Sequence, residues 1–105
     1  MTETTAAKDA KNADISAFGL STVRTVAIGS GNLESETITD GIVLIRVWPD
    51  VDCHVVTGSA PEATTSLTPL TAKVSEYFKI KGGLDKVSVI RKGSDDGTLY
   101  ITEMI

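Results

Sequence analysis

The chain's only Trp, only Cys and only His fall within the single stretch RVWPDVDCHVVTG, which begins at Arg46. Cys53 and His54 are adjacent, with Asp50 and Asp52 just before them. A thiol and an imidazole could form a nucleophile–base pair, and two carboxylates with an imidazole could bind a divalent cation. A catalytic Cys–His pair draws its members from separate elements at hydrogen-bonding distance, with a third group orienting the ring. Neighbours in a strand point to opposite faces, so Cys53 and His54 cannot act on one atom unless the backbone bends there. The alternation instead predicts Cys53 buried beside Val55 as a small hydrophobe, and His54 facing solvent or a neighbour. Asp50, Asp52 and His54 do share one face, but oxygen and imidazole ligands of this kind hold a cation only weakly. A structural zinc site needs four ligands, commonly several Cys or His. Pro49 and Asp50 are accounted for as turn formers.

The other polar motifs are no richer. Glu76 lies mid-strand on a mainly apolar face, as a buried acid, an edge residue, or a partner of Arg46 or Arg91. The edge or ion-pair assignment is expected over a hydrolytic carboxylate pair. GSGN at 29–32 lacks the Lys-Ser/Thr of a phosphate loop. GSDDGT lacks the length and ligand spacing of a calcium hand. No convergent polar constellation emerges, so the chain is expected to be no enzyme and to carry no cofactor and no metal.

The elements that hold these residues are short runs rich in Val, Ile, Thr and aromatics. VRTVAI, SETITD, IVLIRVW, CHVV, AKVSEYFKI, KVSVIR and TLYITEM are separated by Gly-, Pro- and Asp-bearing turns. That spacing predicts an all-β fold, a small antiparallel β-sandwich or jelly-roll-like barrel. KGSDDGT is expected to close a hairpin between Ile90 and Leu99. Between Lys73 and Lys81, Val74, Phe78 and Ile80 share a face with Glu76, opposite Ser75, Tyr77 and Lys79. Val87 and Val89 oppose Ser88 and Ile90. GIVLIRVW is apolar on both faces, which suits a central strand covered by the opposite sheet on one side and by the long loop or another subunit on the other. Residues 1–14 have no stable period and are expected to form a flexible N-terminal arm, with 15–105 a single β domain. A helical turn near Asp14 to Leu20 is the only helix signal.

A chain of 105 residues with 41% hydrophobic residues supports one domain with a core. No apolar run approaches the roughly 20 residues of a spanning helix, and the N-terminus has no apolar signal region, so no membrane association is expected. One cysteine leaves no intrachain disulfide. The net charge is −4, with four basic and eight acidic side chains up to Asp52 and six of each after it. The nearest approach to a basic stripe is Lys79, Lys81, Lys86, Arg91 and Lys92 beside Tyr77 and Phe78. Solvated strand ends explain it, and no nucleic-acid partner is expected.

Two features stand out from this background. The loop GSAPEATTSLTPL, from Gly58 to Leu70, is long for a small β domain, and Glu62 is its only charge. Loops of that length are usually functional or mobile. The tail TLYITEMI stays apolar to Ile105, so Met104 and Ile105 are expected to pack on the domain's own core or on another subunit. Candidate protein contacts are therefore Pro61 and Pro69 in the loop, Met104 and Ile105 in the tail, and the aromatics Trp48, Tyr77 and Tyr100.

The segments from Gly41 to Met104 resemble a group of small proteins encoded among the structural genes of tailed bacteriophages. The resemblance is carried by Asp52-Cys53-His54-Val55, Gly58-Ser59-Ala60-Pro61-Glu62-Ala63, Glu76-Tyr77-Phe78, Lys86-Val87-Ser88-Val89-Ile90 and Gly97-Thr98-Leu99-Tyr100-Ile101-Thr102-Glu103. It implies a β-rich, non-enzymatic virion component: a head decoration (cement) protein, or a neck or tail accessory protein. The implied location is the virion, after synthesis in the bacterial host cytoplasm, and the implied partners are capsid or other virion proteins. Such proteins commonly sit on symmetry axes, so a homo-oligomer is expected, a trimer ahead of a dimer. The alternative from another class is a carbohydrate- or surface-binding β module of a tail fibre, which requires Trp48 gathered with Tyr77 or Tyr100 on one rim.

Overall fold

The computed structural model describes residues 19–105. Eight strands occur among them: β1 (Leu20–Ile28), β2 (Leu33–Glu34), β3 (Leu44–Pro49), β4 (Cys53–Gly58), β5 (Thr68–Leu70), β6 (Glu76–Lys79), β7 (Lys86–Arg91) and β8 (Gly97–Met104). They form two four-stranded sheets, ordered β1-β8-β3-β6 (sheet A) and β2-β7-β4-β5 (sheet B), with every pairing antiparallel. The all-β, two-sheet domain is as the turn spacing predicts. Neither sheet closes on itself, so the domain is a sandwich and not a barrel. The expected arm falls on residues outside those described. The expected helical turn also falls there, apart from Gly19 and Leu20, and Leu20 opens β1.

Alternation builds the core. Ile45 and Val47 of β3, Leu99 and Ile101 of β8, and Val26 and Ile28 of β1 face inward from sheet A. Cys53 and Val55 of β4 and Val87 and Val89 of β7 meet them from sheet B. Each side chain so buried contributes on the order of 1.5–3 kcal/mol of apolar transfer free energy. The outer edges of sheet B are blunted. Strand β2 is two residues long, and β5 carries Pro69, which has no N–H to offer a further strand.

Three connections differ from expectation. SETITD is not a strand; residues 35–42 cross over the end of the sandwich and plug it with Ile38 and Ile42. The plug bonds to the 82–87 segment: Ser35 N–H to Val87 O, Ile38 N–H to Asp85 O, and Gly82 N–H to Ile42 O. Backbone groups thus satisfied need no sheet partner. KGSDDGT is not a hairpin, because β7 lies in sheet B and β8 in sheet A. Both edges of β8 are occupied, by β1 and β3, so the turn carries the chain between sheets. The AKVSEYFKI segment contributes only Glu76–Lys79 as strand, and Val74 is exposed in the preceding turn.

Candidate functional site

RVWPDVDCHVVTG proves to be a corner between the sheets, running from β3 across to β4. Pro49 faces the core and is fully buried, while Asp50 and Asp52 hold the corner together. Asp50 Oδ1 accepts a bond from Thr98 N–H at 2.6 Å, and Asp52 Oδ1 accepts one from Ala72 N–H at 2.8 Å. Carboxylates committed to backbone N–H groups at a corner act as turn caps. No group of three or more His, Cys, Asp or Glu is placed to hold a metal among the described residues.

Cys53 is buried beside Val55, as the alternation predicts. Burial, with the negative charges of Asp52 and then Asp50, pushes its thiol up to about 11. A neutral buried thiol is a poor nucleophile. His54 does point to the opposite face, but it is not exposed there. The chain returning toward β5 covers it, and His54 Nδ1–H donates to the Leu67 carbonyl at 3.0 Å. The thiol and the imidazole are thus separated by the sheet itself.

The loop after Gly58 is less free than its length suggests. Ala63 is buried, and its N–H donates to Ser88 Oγ at 3.0 Å on the outer face of β7. The loop therefore seals the outer face of sheet B, and its last residues, Thr68–Leu70, become β5. Pro61 is half-buried in it and Pro69 exposed on the edge strand. At the C-terminus, Met104 is buried but Ile105 is 66% exposed. Its backbone exchanges hydrogen bonds with Gly19.

No loop among the described residues seals the outer face of sheet A in this way, although Thr102 and Met104 of β8 are buried on it. By register, Val23, Thr102, Arg46 and Tyr77 form one row across its four strands, and Thr25, Tyr100 and Trp48 form the next. Trp48 is half-buried against Tyr100, with ring centroids 5.8 Å apart and planes tilted by 58°. That geometry lies within the favourable range for aromatic pairs. Tyr100 and Tyr77 are about two-fifths exposed, and Val23 more than half. A shallow depression lies between Val23, Arg46, Trp48, Tyr100 and Thr102. The apolar second face of GIVLIRVW is thus the face of Leu44 and Trp48, left open by the long loop.

No protein-family model matches the chain. No curated protein and no solved structure matches it either.

The remaining charges fall at strand ends and corners. Lys86 and Arg91 terminate β7 and pair with Glu34 and Asp96. Glu76 sits exposed on edge strand β6, opposite Val47 in register, and pairs with neither Arg46 nor Arg91. The buried acid is Glu103, which sequence reasoning missed. Its Oε2 accepts bonds from Arg24 Nε at 2.9 Å, Thr39 N–H at 2.9 Å and Thr39 Oγ1 at 3.0 Å. Burial pushes its carboxyl up. The Thr39 N–H, then Arg24 and the Thr39 hydroxyl, outweigh burial and hold it below the ordinary value. The signal was present in the alternation, since Glu103 shares its strand face with Leu99 and Ile101.

Proposed function

We propose that the chain is a non-enzymatic structural protein of a phage virion, a head decoration protein that binds the major capsid protein and stabilises the shell. The observation that carries the binding part of this reading is the partly exposed patch on the outer face of sheet A, where Trp48, Tyr100, Tyr77 and Arg46 are grouped. Trp, Tyr and Arg are the residue types that concentrate binding energy at protein interfaces. The phage assignment itself rests on the segment resemblance. We read the strand orders as a jelly roll, an architecture that viral capsid proteins and lectins both use. That is an analogy of fold alone. In this proposal the domain sits on the capsid exterior and bridges neighbouring capsid subunits, raising the force needed to open the shell. It works as a homo-oligomer, a trimer ahead of a dimer. A cryo-electron map of the purified particle tests the proposal: density fitting this domain on the shell is expected, and its absence from the shell refutes the decoration role. Density at the neck or tail would make the chain an accessory protein there.

The second reading is a glycan- or surface-binding module of a tail fibre, favoured by the gathering of Trp48 with Tyr100 and Tyr77 on one face. A glycan screen with Trp48→Ala as control separates the two. A hit that the substitution abolishes favours the glycan.

A further inference from the structure

We infer that the outer face of sheet A receives an acidic, partly apolar segment of a partner protein, whose carboxylate seats on Arg46 between Trp48 and Tyr77. The inference rests on the protein-binding reading above and names the surface and the chemistry of its occupant. The charge distribution argues for it. The chain carries net charge −4, yet no Asp or Glu is in register on this face, whereas Arg46 and Lys79 are. Arg46 makes no ion pair among the described residues, unlike Arg24, Lys86 and Arg91. Its neighbours in register are Thr102 and Tyr77, and a half-buried guanidinium without a carboxylate is open to a charge-assisted bond.

Size and symmetry narrow the occupant. Four strands about 4.8 Å apart and some five residues long give a footprint of roughly 300 Å². Stable complexes bury about 800 Å² on each partner. The face alone therefore fits a single segment better than the broad flank of another domain. Two copies packed face to face would bring both Arg46 guanidinium groups into this small area with no carboxylate on either side, which disfavours self-association here. A neutral glycan is disfavoured for a different reason. Sugar hydroxyls are commonly fixed by amide or carboxylate partners, and in register this face offers neither, only Thr and Tyr hydroxyls, the Trp48 indole N–H, Arg46 and Lys79.

Trp48, the only Trp, is a built-in reporter. The full chain is titrated at low salt with an alternating glutamate–leucine hexapeptide, its lysine–leucine counterpart and a neutral hexasaccharide, following Trp48 fluorescence and the backbone amide spectrum. The expected result is saturable binding of the acidic peptide alone, with amide shifts clustered on β3, β8 and β6. Arg46→Ala is expected to weaken it about tenfold with the amide spectrum otherwise intact. Equal binding of the basic peptide, shifts on sheet B, an unaffected Arg46→Ala variant, response to the sugar alone, or Trp48 emission that changes with protein concentration through self-association would each overturn the inference. Occupancy on purified particles separates it from the virion reading. Parental occupancy of the Arg46→Ala and Trp48→Ala variants removes the surface assignment and keeps the virion role. Acidic-peptide binding by a chain absent from particles does the reverse.

Discussion

Replacing Glu103 by Gln keeps the side chain's shape and removes its charge, which isolates the electrostatic part of the clasp that closes one end of the sandwich. Three donors converge on Glu103 Oε2 at 2.9–3.0 Å, from Arg24 and Thr39. A bond to a charged acceptor is worth roughly twice a neutral one, a difference of about 1 kcal/mol each. The Arg24 side chain is 21% exposed and also reaches Glu36, so its share is partly screened. The expected loss for Glu103→Gln at pH 7 is therefore about 2 kcal/mol, read by urea unfolding with Trp48 fluorescence. The pH dependence supplies an independent check. Because the folded-state carboxyl lies below its ordinary value of 4.5, its contribution is complete above that value and disappears as pH falls through the folded value. The gap between parent and variant should thus be full at neutral pH and close in acid. A loss under 0.5 kcal/mol at pH 7, or an undiminished gap at pH 3, would refute the assignment of Glu103 as an ionised clasp.

Gly82→Ala should be among the most damaging single changes. A Cβ there would collide with the Thr39 carbonyl oxygen and with Ile42 backbone atoms 2.8 Å away, so a loss of about 3 kcal/mol or failure to fold is expected in thermal unfolding. Lys73 holds a φ of 63°, a left-handed conformation that costs a side-chain-bearing residue about 1 kcal/mol, and its N–H donates to Pro49 O at 2.7 Å. Lys73→Gly should recover part of that, and a fall in the urea midpoint would contradict it. Cys53, buried with its thiol raised to about 11, should resist iodoacetamide at pH 8 in the folded chain and react on denaturation, as mass spectrometry would show.

What the sequence conveyed was periodicity, and what it concealed was pairing. Leu99, Ile101, Val87 and Val89 announce their faces because one face of each strand must be dry. SETITD has strand-like Thr and Ile content, yet its backbone bonds go to the 82–87 segment and its Ile side chains plug an open end. Strand propensity is a statement about packing on a pleated surface, and no free strand edge was available there. The Gly- and Asp-rich segment after Arg91 correctly marks a break between strands, but it carries no information about which sheet the next strand joins. His54 was placed on the correct face, and only the Ala63–Ser88 and Leu67–His54 bonds, distant in sequence, reveal that this face is sealed. For the candidate site, alternation put Tyr77 on the face opposite Phe78. Bringing Tyr77, Trp48 and Tyr100 onto one surface required the order β8-β3-β6, which no local pattern encodes.

The backbone pairing of Gly19 with Ile105 has a mechanical meaning. Both ends of the described chain meet at one corner of sheet A, so a tether attached through either reaches the domain at that point. Strands β1 and β8 are antiparallel, so drawing Gly19 away from Ile105 opens their ladder rung by rung from the Leu20–Met104 end, and the Arg24–Glu103 contact lies near that end. Strand β8 is in turn gripped on its other side by β3. Rungs loaded in parallel share the strain, whereas rungs peeled one after another do not. The domain therefore opens most readily when its two described ends are drawn apart, and holds best when both are carried to one anchor point.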